Sequence, residues 1–120
     1  MKIIVCGGRD YGLTKGEVNY IRDELLKFHE RNKVTWVATG GAKGVDTIAR
    51  AWALSNGILI RNYFPDWKKY GRAAGPIRNR EMLLDFKPDH VVVFPGGRGT
   101  EDMRHKAFVA EVDVTIIPKE

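Results

Sequence analysis

Short apolar runs rich in β-branched residues alternate along this chain with longer segments whose apolar residues recur at helical spacing. The runs Lys2 to Cys6, Val34 to Thr39, Ile58 to Asn62, His90 to Phe94 and Val114 to Ile117 read as strands. Between them, Thr14 to Arg31 places Val18, Ile21, Leu25 and Phe28 on one helical face. Thr14 and Glu17 have the spacing of a capping box, which starts such a helix. A second helix is predicted over Gly44 to Asn56, where Asn56 and Gly57 suit a C-terminal stop. A third covers Pro76 to Asp85, with proline in its first turn, and a fourth covers Thr100 to Ala110. The stretch Tyr63 to Gly75 reads as irregular.

Strict alternation of strand and helix predicts an α/β, Rossmann-like three-layer fold: a parallel sheet of about five strands with helices on both faces, joined by right-handed crossovers. Residues 1–120 form one domain on this reading. The first and fourth strands are nearly all apolar, as strands covered on both faces should be.

Three of the strands run directly into glycine-rich turns: CGGRD at Cys6 to Asp10, TGGAKGVD at Thr39 to Asp46, and PGGRGTED at Pro95 to Asp102. In a sheet of this kind all three lie at the carboxyl edge, where ligands bind and where helix N-termini present free amides to anions. In the last turn Gly96, Gly97 and Gly99 allow close approach to the main chain, Thr100 is either an N-cap or a hydroxyl donor, and Arg98 can reach over the pocket. The second turn offers Gly40, Gly41 and Gly44; Lys43 is either a phosphate contact or a solvated charge. Asp46 either complements the dipole of the following helix or accepts from a ribose hydroxyl. The first turn supplies Gly7, Gly8 and Arg9; Arg9 either meets an anion or pairs with Asp10. Neither the Walker spacing nor GxGxxG is present, which argues against a P-loop ATPase and an ordinary NAD-binding domain.

Charge adds to this picture. The chain carries a net charge of +5, and Lys68, Lys69, Arg72, Arg78 and Arg80 follow one another with no acid between Asp66 and Glu81. Such a cluster suits a phosphate, a nucleic-acid backbone or plain solubility. Trp67 and Tyr70 lie among these cations and either stack a base or pack the loop down; Arg78 and Asn79 are candidates for phosphate and ribose. The single cysteine, Cys6, excludes an intrachain disulfide and reads as a core residue, not a nucleophile. His29, His90 and His105 are scattered, so neither a metal nor a cofactor is expected. No apolar run approaches the roughly 20 residues of a membrane span, and no signal-peptide region is seen; the expectation is a cytoplasmic protein without membrane contact.

Taken together, GGRDY, GGAKGVD, DWKKYGRAAGPIRN and PGGRGTEDM resemble the YspA- and YpsA-related family of the SLOG superfamily, over nearly the whole chain. Relatives in that superfamily include the Lonely Guy phosphoribohydrolases and DprA. The resemblance implies a Rossmann-like fold and a site for a nucleotide or nucleotide-derived ligand, as in a sensor. It also implies two alternatives: hydrolysis of the N-glycosidic bond of a nucleoside monophosphate, and binding of single-stranded nucleic acid. Lonely Guy enzymes follow a PGGxGT turn with a hydrophobic residue and two glutamates. Here those positions are Glu101, Asp102 and Met103, so Glu101 and Asp102 are the catalytic candidates although the carboxylates are out of register. Related proteins commonly dimerise, which leaves a homo-oligomer open.

Overall fold

In the computed structural model, which describes residues 1–120, five parallel strands form one sheet. They are β1 (Lys2–Cys6), β2 (Trp36–Thr39), β3 (Leu59–Asn62), β4 (His90–Val93) and β5 (Asp113–Ile116), in the order β3-β2-β1-β4-β5. The helices are α1 (Lys15–Asn32), α2 (Val45–Ser55), a short α3 (Trp67–Tyr70), α4 (Ala74–Phe86) and α5 (Arg98–Val109). The Rossmann-like α/β architecture expected from the alternation is the one observed.

Alternation along each central strand builds two cores. Ile3 and Val5 of β1 face α1 and α2, where they pack with Ile21, Leu25, Val45 and Trp52. Ile4, between them, points to the other face and packs with Met82 and Phe86 of α4 and Met103 and Ala107 of α5. A strand covered on both faces has no polar side, which explains the unbroken apolar runs of β1 and β4. The edge strands β3 and β5 keep exposed residues such as Leu59 and Ile116.

The Thr14–Glu17 capping box is formed: the Glu17 amide donates to Thr14 Oγ1 at 3.1 Å, and Glu17 Oε1 accepts from the Gly12, Leu13 and Thr14 amides. Two local expectations shift. The stretch after β3 is not wholly irregular. Asp66 accepts from the Lys69 amide and caps α3, and a 3₁₀ turn over Gly71–Ala73 leads directly into α4. Helix α4 therefore starts two residues before Pro76, which still falls in the first turn, where its missing N–H costs nothing. Likewise α5 begins at Arg98 with Gly97 in the N-cap position, so Thr100 is the third helical residue instead of the cap.

The strand order reverses between β1 and β4. Their loops are stitched together there: the Gly8 amide donates to the Pro95 carbonyl at 2.8 Å. This is the switch point at which a doubly wound sheet opens a crevice at its carboxyl edge.

Candidate functional site

A cavity of about 880 Å³ occupies that crevice, within the size range of small-molecule sites. Its floor is the three glycine-rich turns. Gly7, Gly8 and Arg9 come from the β1–α1 turn, Gly40, Gly41 and Asp46 from the β2–α2 turn, and Gly96, Gly97, Arg98, Gly99 and Thr100 from the β4–α5 turn. Helix α4 adds Arg78, Asn79 and Met82. One wall is aromatic, made by Phe64 and Trp67, which are 67% and 51% exposed.

The glycines allow this convergence. Gly44 has φ +71°, and a Cβ there would collide with the carbonyl oxygens of Gly8, Arg9 and Tyr11. Only glycine lets the start of α2 press onto the β1–α1 turn, where the Val45 amide donates to the Gly8 carbonyl at 3.3 Å. Gly41, also at φ +71°, leaves the space that the Phe64 ring occupies.

The backbone donors of the three turns are not equally free. The Gly8 amide is spent on Pro95. The Gly41 amide donates to Thr39 Oγ1 at 3.2 Å, and the Ala42 amide to Asp46 Oδ2 at 3.1 Å. The N-terminal side of α2 thus carries its own carboxylate. By contrast, the amides of Arg98, Gly99 and Thr100 are the first three of α5; such amides have no carbonyl four residues back within the helix. No backbone acceptor outside α5 takes them. Of the two helix starts at the cavity, α5 is the one whose first three residues all line it; the leading Val45 amide of α2 is bonded to Gly8, and neither Val45 nor Thr47 reaches the lining.

The side chains divide in the same way. Arg78 is half-buried and anchored: Nη1 donates to the carbonyls of Gly40 at 2.7 Å and Tyr63 at 3.2 Å, and Nε donates to Asn79 Oδ1 at 3.0 Å. Asn79, 3% exposed, donates through Nδ2 to the Gly99 carbonyl at 3.1 Å and to Asp102 Oδ2 at 3.0 Å. It bridges α4 to the first turn of α5 and so positions that turn. Arg9 and Arg98 are exposed at the rim, with Asp10 beside Arg9 and Lys119 contributed by the tail after β5. Asp46 is 5% exposed. Burial pushes its carboxyl up to about 6, against the opposing pull of the Ala42 amide, Arg78, the Gly40 amide and Arg50. Burial also drives the Cys6 thiol far above the usual range, aided by Asp46. Cys6 packs against the α4–α5 core, so it serves as a packed residue and not as a thiolate.

Five residues that the sequence suggests for the site do not line the cavity. Lys43 is exposed on the far side of its turn, and Gly44 is buried beneath the first turn as a packing element. Glu101 turns outward along α5 and pairs with Arg104 at 2.6 Å. Asp102 is held by Asn79 and Lys106. At about 100° per residue, Glu101 is turned away from the arc that Arg98, Gly99, Thr100 and Met103 present. Asp102 falls within that arc, one turn below Arg98, and is kept from the cavity by its bonds to Asn79 and Lys106. Tyr70 also lies off the cavity, with Lys69 against its ring. Phe64, Tyr11, Met82 and Lys119 line it without having been anticipated. Phe64 had a signal in the FPDW start of the aromatic–basic segment, whereas Lys119 had none.

A family model described as "YAcAr: YspA, cpYpsA-related SLOG family" matches residues 1–70, more than half of the chain. The chain belongs to this SLOG family. Among similar curated proteins, the Gene 61 protein of Mycobacterium phage D29 is 31% identical over 120 residues, covering 94% of this chain and 93% of the phage protein. The SLOG fold recurs in the solved structure of DNA processing protein A (DprA) from Streptococcus pneumoniae, with a TM-score of 0.74 at 20% identity, covering 99% of this chain and 50% of that one. It recurs again in the structural-genomics target TM1055, with a TM-score of 0.68 at 22% identity, covering 94% of this chain and 71% of that one. No helix is long and apolar enough to cross a membrane.

Proposed function

We propose that this SLOG domain binds a nucleotide or nucleotide-derived small molecule in the crevice at the carboxyl edge of its sheet, in the manner of a sensor. The observation that carries the reading is the open first turn of α5 set into the floor of a cavity of about 880 Å³. A phosphate placed on the amides of Arg98, Gly99 and Thr100 meets the positive end of a twelve-residue helix. Arg9 and Arg98 close over it from the rim. The base lies against the Phe64 and Trp67 wall, whose rings offer stacking surface to solvent.

Binding is preferred to glycosidic hydrolysis because Glu101 is paired with Arg104 outside the lining and both Asp102 oxygens are taken, by Asn79 and Lys106. It is preferred to single-strand binding because Lys68, Lys69 and Arg72 lie outside the cavity lining, which already contains cations of its own.

The test is a thermal-shift and calorimetric panel of ribonucleoside mono- and diphosphates, ADP-ribose and a single-stranded oligonucleotide. Saturable binding of a mononucleotide or ADP-ribose is expected, with about 2.7 kcal/mol of stabilisation at a hundredfold excess over Kd. A folded protein that binds none of them overturns the reading. An oligonucleotide that binds far tighter, with steep salt dependence, shifts it to nucleic acid. Release of free base, followed by chromatography, shifts it to the hydrolase.

A further inference from the structure

The cavity has one buried carboxylate, and the structural duties of that group use only part of it. Asp46 is 95% removed from solvent, yet it lines the cavity floor. Its Oδ2 caps the Ala42 amide. Oδ1 makes no hydrogen bond within normal geometry, although the Gly40 amide is near enough to favour the charged carboxylate; no fully buried polar atom of the protein lacks a partner, so Oδ1 keeps access to the cavity. Capping one amide needs a single acceptor. A serine or asparagine supplies that without burying a charge, which is costly unless the charge is matched. Neighbouring cations do not match it through contact: Arg78 directs its Nη1 and Nε to Gly40, Tyr63 and Asn79.

We propose that Asp46 accepts hydrogen bonds from the ribose hydroxyls of the ligand, so that the site takes ribonucleotides and rejects their 2′- and 3′-deoxy counterparts. The inference rests on the nucleotide reading above and extends it to the sugar. Asp46 stands across the cavity floor from the α5 turn that holds phosphate in that reading. A sugar between a phosphate on α5 and a base on the Phe64–Trp67 wall presents its hydroxyls downward, to the floor. An ionised acceptor with no donor of its own, held in place by the backbone amides of its turn, is suited to the hydroxyls of a vicinal diol. Arg78 of α4, Arg50 one turn further along α2 and the Cys6 thiol at the end of β1 are the charged or titratable groups facing it. The two arginines favour its ionised form at neutral pH.

The experiment measures, by calorimetry, the affinity of the wild-type chain for ADP, 2′-deoxy-ADP and 3′-deoxy-ADP at pH 8 and pH 5. A charge-assisted hydrogen bond in a desolvated site corresponds to about a ten- to hundredfold preference for the ribo form at pH 8. The preference is expected to shrink several-fold at pH 5, where Asp46 is protonated. The ligand's own phosphate titrates equally in all three probes and cancels from the ratio. Asp46→Asn, which can retain the Ala42 cap, should lower the ribo preference to about threefold or less. Equal affinity for ribo and deoxy probes in the wild type overturns the inference and leaves the nucleotide reading standing. So does a ribo preference that is unchanged at pH 5. Failure of every nucleotide to bind the folded chain overturns both. If Asp46→Asn does not fold, the wild-type ratios and their pH dependence decide alone.

Discussion

Asn79→Ala tests the joint that sets the α5 turn in place. The side chain makes three hydrogen bonds, to Gly99, Asp102 and Arg78, from a position 3% exposed. Their loss is not uniform in cost. The Gly99 carbonyl and the Asp102 carboxylate keep other partners: the helix ladder for the first and Lys106 for the second. Arg78 Nε is left without its acceptor inside a half-buried network, which costs about 1–3 kcal/mol for a charged donor. Adding a net contribution of about 1 kcal/mol for the other two bonds together gives about 2–4 kcal/mol. For a chain of this length that corresponds to a Tm lowered by about 6–15 °C. Urea unfolding followed by circular dichroism, with unchanged m-value, measures it. Asn79→Asp sharpens the test: it keeps the acceptor for Arg78 but turns a carboxylate oxygen toward Gly99 O and Asp102, so it should be at least as damaging at neutral pH and should recover in part on acidification. A loss below about 0.5 kcal/mol for Asn79→Ala, or an Asn79→Asp variant as stable as wild type at pH 7, would refute the bridging role.

Other expectations follow from single features. Thr14→Ala removes the cap of α1 and should cost about 1 kcal/mol in chemical denaturation. Glu17 is held below the ordinary carboxylate range by the amides of Leu13, Thr14 and Gly12; its contribution is complete above that range and is lost as the pH falls through its own lower value, so Glu17→Gln should lose the corresponding slope in stability against pH. Asp46 behaves in the opposite sense. Because burial raises its carboxyl to about 6, ionising it disfavours the folded state, and Asp46→Asn should gain on wild type by up to about 3 kcal/mol as the pH rises from 4 to 7; a gap that does not vary with pH would contradict that environment. Gly44→Ala combines φ +71° with a clash against three carbonyl oxygens and should cost more than about 2 kcal/mol, seen as a large fall in Tm or as loss of soluble protein.

Much of this molecule was legible in one dimension because burial on two faces leaves a strong mark. The apolar runs of β1 and β4 announced central parallel strands, and the Thr14–Glu17 pair announced where α1 begins. The glycine-rich turns announced the carboxyl-edge crevice. What a linear reading could not assign was the phase of each helix at its first residue. The start of α5 at Arg98 instead of Thr100 puts Thr100 inside the helix, and Asp102, one turn below Arg98, is taken up by Asn79 and Lys106. Nor could spacing reveal which turn amides were already bonded, since Thr39 and Asp46 act across the turn itself. Arg78 and Asn79 read in sequence as candidates for phosphate and ribose; their hydrogen bonds also make them anchors of the floor and of the α4–α5 joint. Lys119 reaches the cavity only because β5 ends at the same sheet edge, a consequence of topology that no local pattern carries.

The central claim is tested most directly by titrating the isotopically labelled protein with ADP and following backbone amide and tryptophan indole resonances. The largest shifts are expected at the amides of Arg98, Gly99 and Thr100, with accompanying changes at Gly7, Gly41 and the Trp67 indole. Shifts confined to Lys68, Lys69 and Arg72, with the α5 turn unmoved, would contradict it.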